Sequence, residues 1–176
     1  MLADLDQSRF QNRPTFALEN TGFTAHIRRM RKALNDLNEL AMRSGLRHRL
    51  YGTPVEEWIA AVPNELPIDA VGLWQIVPAG REGFELSGQE LIEFVRLNLL
   101  ALLEKGAKPV IGAADGIHYW TLVPYGETPA EMADAIIEEW TSSGREPDVG
   151  DVWFALPHIY EAKRPSSETG PIPKSN

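Results

Sequence analysis

Three side chains beside one predicted turn could carry acid–base chemistry. Asp115 and His118 flank an Asp-Gly dipeptide, and Tyr119 follows His118 directly. A carboxylate beside an imidazole can orient the ring while it accepts or donates a proton. Asp is also the residue that a tight turn prefers here, and a single strand histidine is more often structural. The three residues are therefore a catalytic hypothesis with a structural alternative.

Two further pairs of residues are candidates for binding a ligand. Gln75 and Thr121 interrupt otherwise apolar predicted strands, and in an alternating strand they point away from the neighbouring tryptophans. Arg81 and Tyr125 follow the same two strands, where they could clamp an anion at the N-terminus of the next helix. A solvated loop is the structural alternative for Arg81 and Tyr125.

The sequence lacks the residues that many other chemistries need. It contains no cysteine, which excludes disulfides, thiolate metal sites, iron–sulfur clusters and cysteine nucleophiles. Its four histidines have no ligand spacing, and the glycine-rich phosphate motifs are missing. We therefore expect no metal and no cofactor.

An internal repeat connects the candidate residues. The pattern W-x-x-V-P-x-G occurs at residues 74–80 and again at 120–126, and a predicted helix follows each copy. Each helix ends at a second shared pattern, G-x-x-P-x-(I/V)-G, at residues 106–112 and 144–150. Glycine just past the last helical residue is a common stop signal.

The repeat predicts an α+β fold. The expected order is the β-α-β-β-α-β of a ferredoxin-like sandwich, a four-stranded antiparallel sheet with two helices on one face. The two W-x-x-V-P-x-G segments would be central neighbouring strands, with Trp74 and Trp120 beneath the helices. The opposite sheet face, with Gln75 and Thr121, is semi-polar and would need a cover. The predicted strands are residues 68–77, 109–113, 117–123 and 152–156, and the predicted helices are residues 87–105 and 128–142.

A helical extension is predicted before this domain. Between residues 21 and 44 the apolar positions recur at steps of three and four, a stripe that resembles a coiled-coil seam. Ile27, Leu34 and Leu37 of this stripe are the candidate interface residues, and packing on the chain's own domain is the alternative. The expected divisions are a flexible arm at 1–20, the extension at 21–66, the sheet domain at 67–160 and a disordered tail at 161–176.

Charge is distributed unevenly along the chain. The net charge is −8, yet residues 28–49 hold seven basic and two acidic side chains, whereas residues 68–157 hold five basic and fifteen acidic ones. An acidic body disfavours nucleic acid, and the basic segment is expected to lie against this body or against that of a neighbour. No stretch reads as a signal peptide or a membrane span, so a cytoplasmic protein is expected.

The sequence carries no catalytic signature. We expect a soluble, non-catalytic binding or regulatory protein that forms a homo-oligomer through a sheet face or a helical interface, with a further protein partner as an option. The alternative is a small dimeric α+β-barrel-type enzyme whose pocket lies on the open sheet face. A third reading, nucleic-acid contact through the basic segment, rests on four residues: Arg28, Arg29, Arg31 and Lys32.

Overall fold

The computed structural model describes residues 45–115 and 117–164. Several predicted features lie outside the described residues: the arm at 1–20, the helix at 21–44 with Ile27, Leu34 and Leu37, and the tail from residue 165 onward.

The described chain contains five α-helices and four strands, with one 3-10 turn and one π-helical turn. The elements are α1 (Val55–Ala61), a 3-10 turn (Val62–Glu65), β1 (Val71–Gly72), α2 (Leu73–Pro78), a π-helical turn (Ala79–Gly83), α3 (Gly88–Glu104), β2 (Lys108–Gly112), β3 (Trp120–Leu122), α4 (Pro129–Ser143), β4 (Trp153–Ala155) and α5 (Pro157–Tyr160).

The four strands form one antiparallel sheet in the order β1-β4-β2-β3. Phe154 of β4 pairs with Val71 of β1 on one side and with Pro109 of β2 on the other, and Ile111 of β2 pairs with Thr121 of β3. The α+β class and the four-stranded antiparallel sheet are thus confirmed. The ferredoxin-like order is not confirmed, because β1 and β3 lie at opposite edges instead of in the centre.

The first W-x-x-V-P-x-G copy is mainly helical, so the strand predicted at 68–77 is wrong beyond Val71 and Gly72. The Gln75 side-chain oxygen accepts a hydrogen bond of 2.7 Å from the Gly72 backbone N–H and closes the first turn of α2. The buried positions follow the spacing of one helix face and not the alternation of a strand. These buried positions are Leu73, Ile76, Val77 and Gly80.

The second copy is extended because a strand partner lies next to it in the chain. Trp120 and Leu122 pair with Gly112 and Val110 across the β2–β3 hairpin. The same sequence pattern therefore adopts two different structures. The partner of β1 is β4, which is distant in the chain, whereas the partner of β3 is the neighbouring strand β2.

The main core surrounds α3. Leu91, Phe94, Leu99 and Leu102 of this helix are buried in one cluster with residues of α1, α2, α4 and β4. A helix that is apolar on most of its surface must be covered on more than one side, and the described chain itself already buries these side chains. Asn98, also fully buried, donates from its amide to the Phe94 carbonyl at 2.8 Å.

A second apolar cluster lies on the other side of the sheet. The Trp153 ring stands between those of Trp74 and Trp120, with centroid distances of 5.8 and 5.3 Å. Trp120 and Trp153 pack with Val110, Ala155 and the short helix α5 instead of with the main core. The prediction that Trp120 lies beneath the principal helices is therefore wrong, and the placement of all helices on one face is not confirmed.

Candidate functional site

The structure brings Asp115 and His118 together. His118 Nδ1 lies 2.7 Å from Asp115 Oδ2, while Asp115 Oδ1 accepts the backbone N–H groups of Ile117 and His118 at 2.8 Å each. The side-chain hydrogen bond from His118, and then these backbone bonds, hold the pKa of Asp115 well below its usual range. Asp115 is exposed and His118 is partly exposed, and the carboxylate supports the turn as much as it orients the ring.

Arg164, the last described residue, contacts Tyr119 on the same hairpin. The Arg164 guanidinium lies 5.5 Å from the centre of the Tyr119 ring, and its Nε donates to the His118 carbonyl at 2.9 Å. The backbone N–H of Arg164 donates to Ile117 at 2.8 Å. Asp115, His118 and Tyr119 therefore form an exposed, well-connected hairpin end.

Gln75 and Thr121 are not brought together. Gln75 lies in α2 beside β1, whereas Thr121 lies in β3 at the opposite edge of the sheet, where its side chain is exposed. A shared pocket was expected because both were placed on central strands, and the observed strand order separates them.

Arg81 and Tyr125 both border the loop at residues 144–151. Arg81 forms an ion pair with Glu146 of this loop. Tyr125 lines a cleft of ≈ 40 Å³ together with Arg145 and Glu139. Burial, with a hydrogen bond to Glu139, raises the pKa of Tyr125 to about 12. The cleft holds no more than about one or two water molecules.

A larger surface feature, here called the α1–α2 groove, has a volume of ≈ 460 Å³. This volume is within the range of ligand-binding clefts. One wall is a helical face whose residues recur every three or four positions. The other wall runs from Asp69 to Val71 of β1 and continues with Gln75 and Ile76 of α2. The lining residues are Trp58, Ala61, Val62, Glu65, Asp69, Ala70, Val71, Gln75 and Ile76.

An aromatic cluster fixes the Trp58 side of the groove. The ring of buried His48 stacks on Trp58 at a centroid distance of 4.8 Å, and the edge of Phe84 meets Trp58 at 5.7 Å. His48 Nδ1 lies 3.2 Å from the backbone nitrogen of Leu50, whose N–H it accepts. His48 thus acts as a positioning residue for Trp58, because backbone contacts hold its ring in place.

The groove has an apolar floor and an acidic rim. Within the part of the chain that the structure describes, Glu65 and Asp69 are the charged residues that line it. Glu57 is exposed one turn before Ala61 on α1, and Ile68, 79% exposed, adds apolar surface beside Asp69. Such a surface suits a ligand with an apolar stripe and positive flanks.

Of the ligand-binding candidates named from the sequence, Gln75 lines the groove, and the other lining residues were not proposed. The available signal was the spacing of Trp58, Ala61, Val62 and Glu65, which places them on one face of a helix. The opposite wall was misread as a strand, so the two walls could not be combined.

Comparisons with protein-family models, with curated proteins and with solved structures found no match to this chain. Among residues 45–115 and 117–164, no group of three or more His, Asp or Glu side chains is arranged to hold a metal ion. No helix in these two ranges is long and apolar enough to cross a membrane.

Proposed function

We propose that this chain is a non-catalytic binding protein that takes a basic, amphipathic helix of a protein partner in the α1–α2 groove. The observation that carries the proposal is the combination of an apolar floor with Glu65 and Asp69 on the rim. Helix-in-groove recognition uses anchors at spacings of three and four residues, which match the periodicity of the α1 wall. A cytoplasmic location is part of the proposal and fits the cysteine-free composition.

Small side chains in the groove leave room for such anchors. Ala61 and Ala70 contribute only methyl groups to its lining, and Trp58 offers a broad ring that His48 and Phe84 already hold in place. Rigid aromatic side chains are frequent energetic centres of interfaces, since little entropy is lost when they bind.

Self-association is the alternative to this proposal. A helix as apolar as the one at residues 87–105 needs a cover on more than one side, and the described chain itself covers α3. The expected homo-oligomer therefore depends on the stripe at residues 21–44, which would then face a second copy. Light scattering at micromolar concentration tests it, and a clean monomer would remove this alternative.

The enzyme alternative is supported by the Asp115–His118 pair at 2.7 Å. Its expected pocket was to be lined by Gln75, Tyr119 and Thr121, and the strand order puts Gln75 at the far edge from the other two. The binding proposal is preferred because the groove residues are contiguous.

Fluorescence anisotropy with two synthetic helical peptides tests the proposed function. Both carry a leucine stripe; one has lysine and arginine flanks and the other has glutamate flanks. The wild-type chain is measured beside a charge-reversal variant (Arg28→Glu, Arg29→Glu, Arg31→Glu, Lys32→Glu), in which the chain's own basic segment cannot compete. We expect saturable binding of the basic peptide alone to at least one of the two proteins, weakening with added salt.

Paired variants locate the peptide. Glu65→Lys with Asp69→Asn should weaken binding about tenfold, since rim charges contribute roughly 1.4 kcal/mol together. Asn at position 69 keeps an oxygen for the Ala70 N–H that Asp69 accepts at 2.7 Å. Glu104→Lys with Glu138→Gln changes the net charge equally on exposed sites outside the groove and should leave affinity unchanged. Absence of binding to both proteins, or equal weakening by both pairs, overturns the proposal.

A further inference from the structure

We infer that the chain's own residues 21–44 dock in the α1–α2 groove and occupy it until a partner helix displaces them. The inference rests on the proposed function of the same groove and adds a regulatory occupant to it.

The segment and the groove have complementary chemistry. The stripe of residues 21–44 supplies the apolar anchors, and Arg28, Arg29, Arg31 and Lys32 supply positive charge beside them. The groove offers the reverse, an apolar floor with Glu65 and Asp69 at its rim. The described residues hold nine basic and nineteen acidic side chains, so their overall field also attracts the segment.

The described chain begins near the Trp58 end of the groove, where His48 stacks on Trp58. The Leu46 carbonyl accepts the backbone N–H of Val55 at 3.1 Å, and His48 N–H donates to the Thr53 carbonyl at 2.8 Å. This turn places Leu46 beside Val55, the first residue of α1, one helical turn from Trp58 at the groove wall. The described chain therefore starts close to the site that the segment is inferred to fill.

The segment is long enough to follow the groove wall. As a helix, residues 21–44 would extend about 36 Å, more than twice the roughly 16 Å of the wall at residues 55–65. Because the segment is tethered, its effective concentration at the groove is on the order of millimolar. A weak intrinsic contact is then sufficient to keep the groove covered, and an untethered partner must bind more tightly to displace the segment.

Disulfide trapping in the full chain tests the docking directly, because the natural sequence has no cysteine. Ala61→Cys on the groove wall is combined in turn with Ile27→Cys, Met30→Cys and Leu34→Cys on the stripe. The control combines it with Asp36→Cys, which lies about 200° around a helix from position 34. This control removes an acidic residue and so does not weaken attraction to the acidic rim.

Non-reducing electrophoresis should show an oxidised monomer for at least one stripe pair, formed about tenfold faster than for the control pair. Equal rates for stripe and control pairs overturn the inference. Oxidised dimers without oxidised monomer also overturn it, because they show a second copy as the occupant.

Hydrogen–deuterium exchange gives a second readout that needs no cysteine. Amides of residues 58–65 and 71–76 should exchange faster in the charge-reversal variant than in the wild-type chain, while those of α4 stay the same. Unchanged exchange at the groove overturns the inference.

The inference and the proposed function fail in different ways. If no stripe pair cross-links but the basic peptide binds the wild-type chain, the docking is wrong and the function stands. If cross-links form but the peptide binds neither the wild-type chain nor the charge-reversal variant, the groove is an internal packing surface and the proposed function is wrong.

Discussion

Gly80 lies where the π-helical turn passes over α3. An added Cβ would lie 2.6 Å from Phe94 Cδ1 and 2.7 Å from Leu91 Cδ1, and both of these side chains are buried in the core. Because both side chains are buried, room for the methyl group requires a shift within the packed core. The glycine of the first W-x-x-V-P-x-G copy is therefore required by close packing.

Gly80→Ala should lower the free energy of unfolding by about 1–3 kcal/mol, the usual range for overpacking a core. Urea denaturation followed by circular dichroism measures the change. Gly112→Ala is the matched control, because a Cβ there meets no heavy atom within 4 Å. Equal stability of the two variants would show that the turn relaxes freely.

The environment of Tyr125 predicts that the folded state loses stability at alkaline pH. Its pKa is raised from 10.0 to about 12, first by burial and then by the hydrogen bond to Glu139. The folded state therefore holds the phenol proton more tightly than the unfolded state. The stability contributed by Tyr125 is fully present below pH 10 and is lost as the pH rises towards 12.

Absorbance of tyrosinate tests this shift. The titration of the wild-type chain minus that of Tyr125→Phe should show one step near 12, over the pH range in which circular dichroism stays native. Glu139→Gln should move the step part of the way back only, since burial is the larger cause. If the difference between the two titrations shows its step at pH 10 instead, the buried environment of Tyr125 is contradicted.

At the scale of the elements, two substitutions in the β2–β3 hairpin test how far Asp115 acts by supporting the turn. Asn can still accept the N–H groups of Ile117 and His118 through its amide oxygen, whereas Ala cannot. Asp115→Ala should therefore lower the melting temperature more than Asp115→Asn does.

The charge of Asp115 adds a pH dependence. Because its pKa is lowered in the folded chain, its charge stabilises the protein above the ordinary carboxyl pKa of 3.8, and this contribution is lost as the pH falls below that value. The melting temperature of Asp115→Asn should be lower than that of the wild-type chain at pH 7. This gap in melting temperature should close towards pH 2. A gap of the same size at both pH values would contradict the pairing with His118.

Helix ends were predictable from the sequence because their signals are local. α3 and α4 end at Glu104 and Ser143, close to the predicted ends, and Gly106 and Gly144 adopt the positive φ angles of +89° and +65° that favour glycine. The start of α4 was also predicted correctly, since the Thr128 side chain accepts the Glu131 N–H at 3.3 Å.

Strand identity was less predictable because it depends on distant partners. The sequence of residues 71–77 allows both an alternating strand and a short helix, and β4 pairs with only two of these residues. The hairpin strand Trp120–Leu122 was predicted correctly, since its partner Gly112 is near in the chain. A helix follows each copy of the pattern as predicted, but neither the helical structure of the first copy nor the order of strands was predicted.

At the scale of the whole molecule, the groove could not be predicted because its walls come from separate elements. Its Trp58 wall is helical, whereas Ala70 and Val71 reach it only because β1 pairs with the last strand, β4. The excess of acidic residues was visible in the sequence, but their position at the rim of the α1–α2 groove was not. Gln75 was identified as a ligand-binding candidate and lines the groove, although as part of a helix.

The most direct test of the binding surface is a residue-by-residue map of where the basic helix binds. The ¹⁵N-labelled full chain, as wild type and as the charge-reversal variant, is titrated with the lysine- and arginine-flanked peptide. The largest amide shifts are predicted at Ala61, Glu65, Asp69 and Gln75. Shifts centred on Trp120 and Trp153, or on the β2–β3 hairpin, would contradict the assignment of the α1–α2 groove.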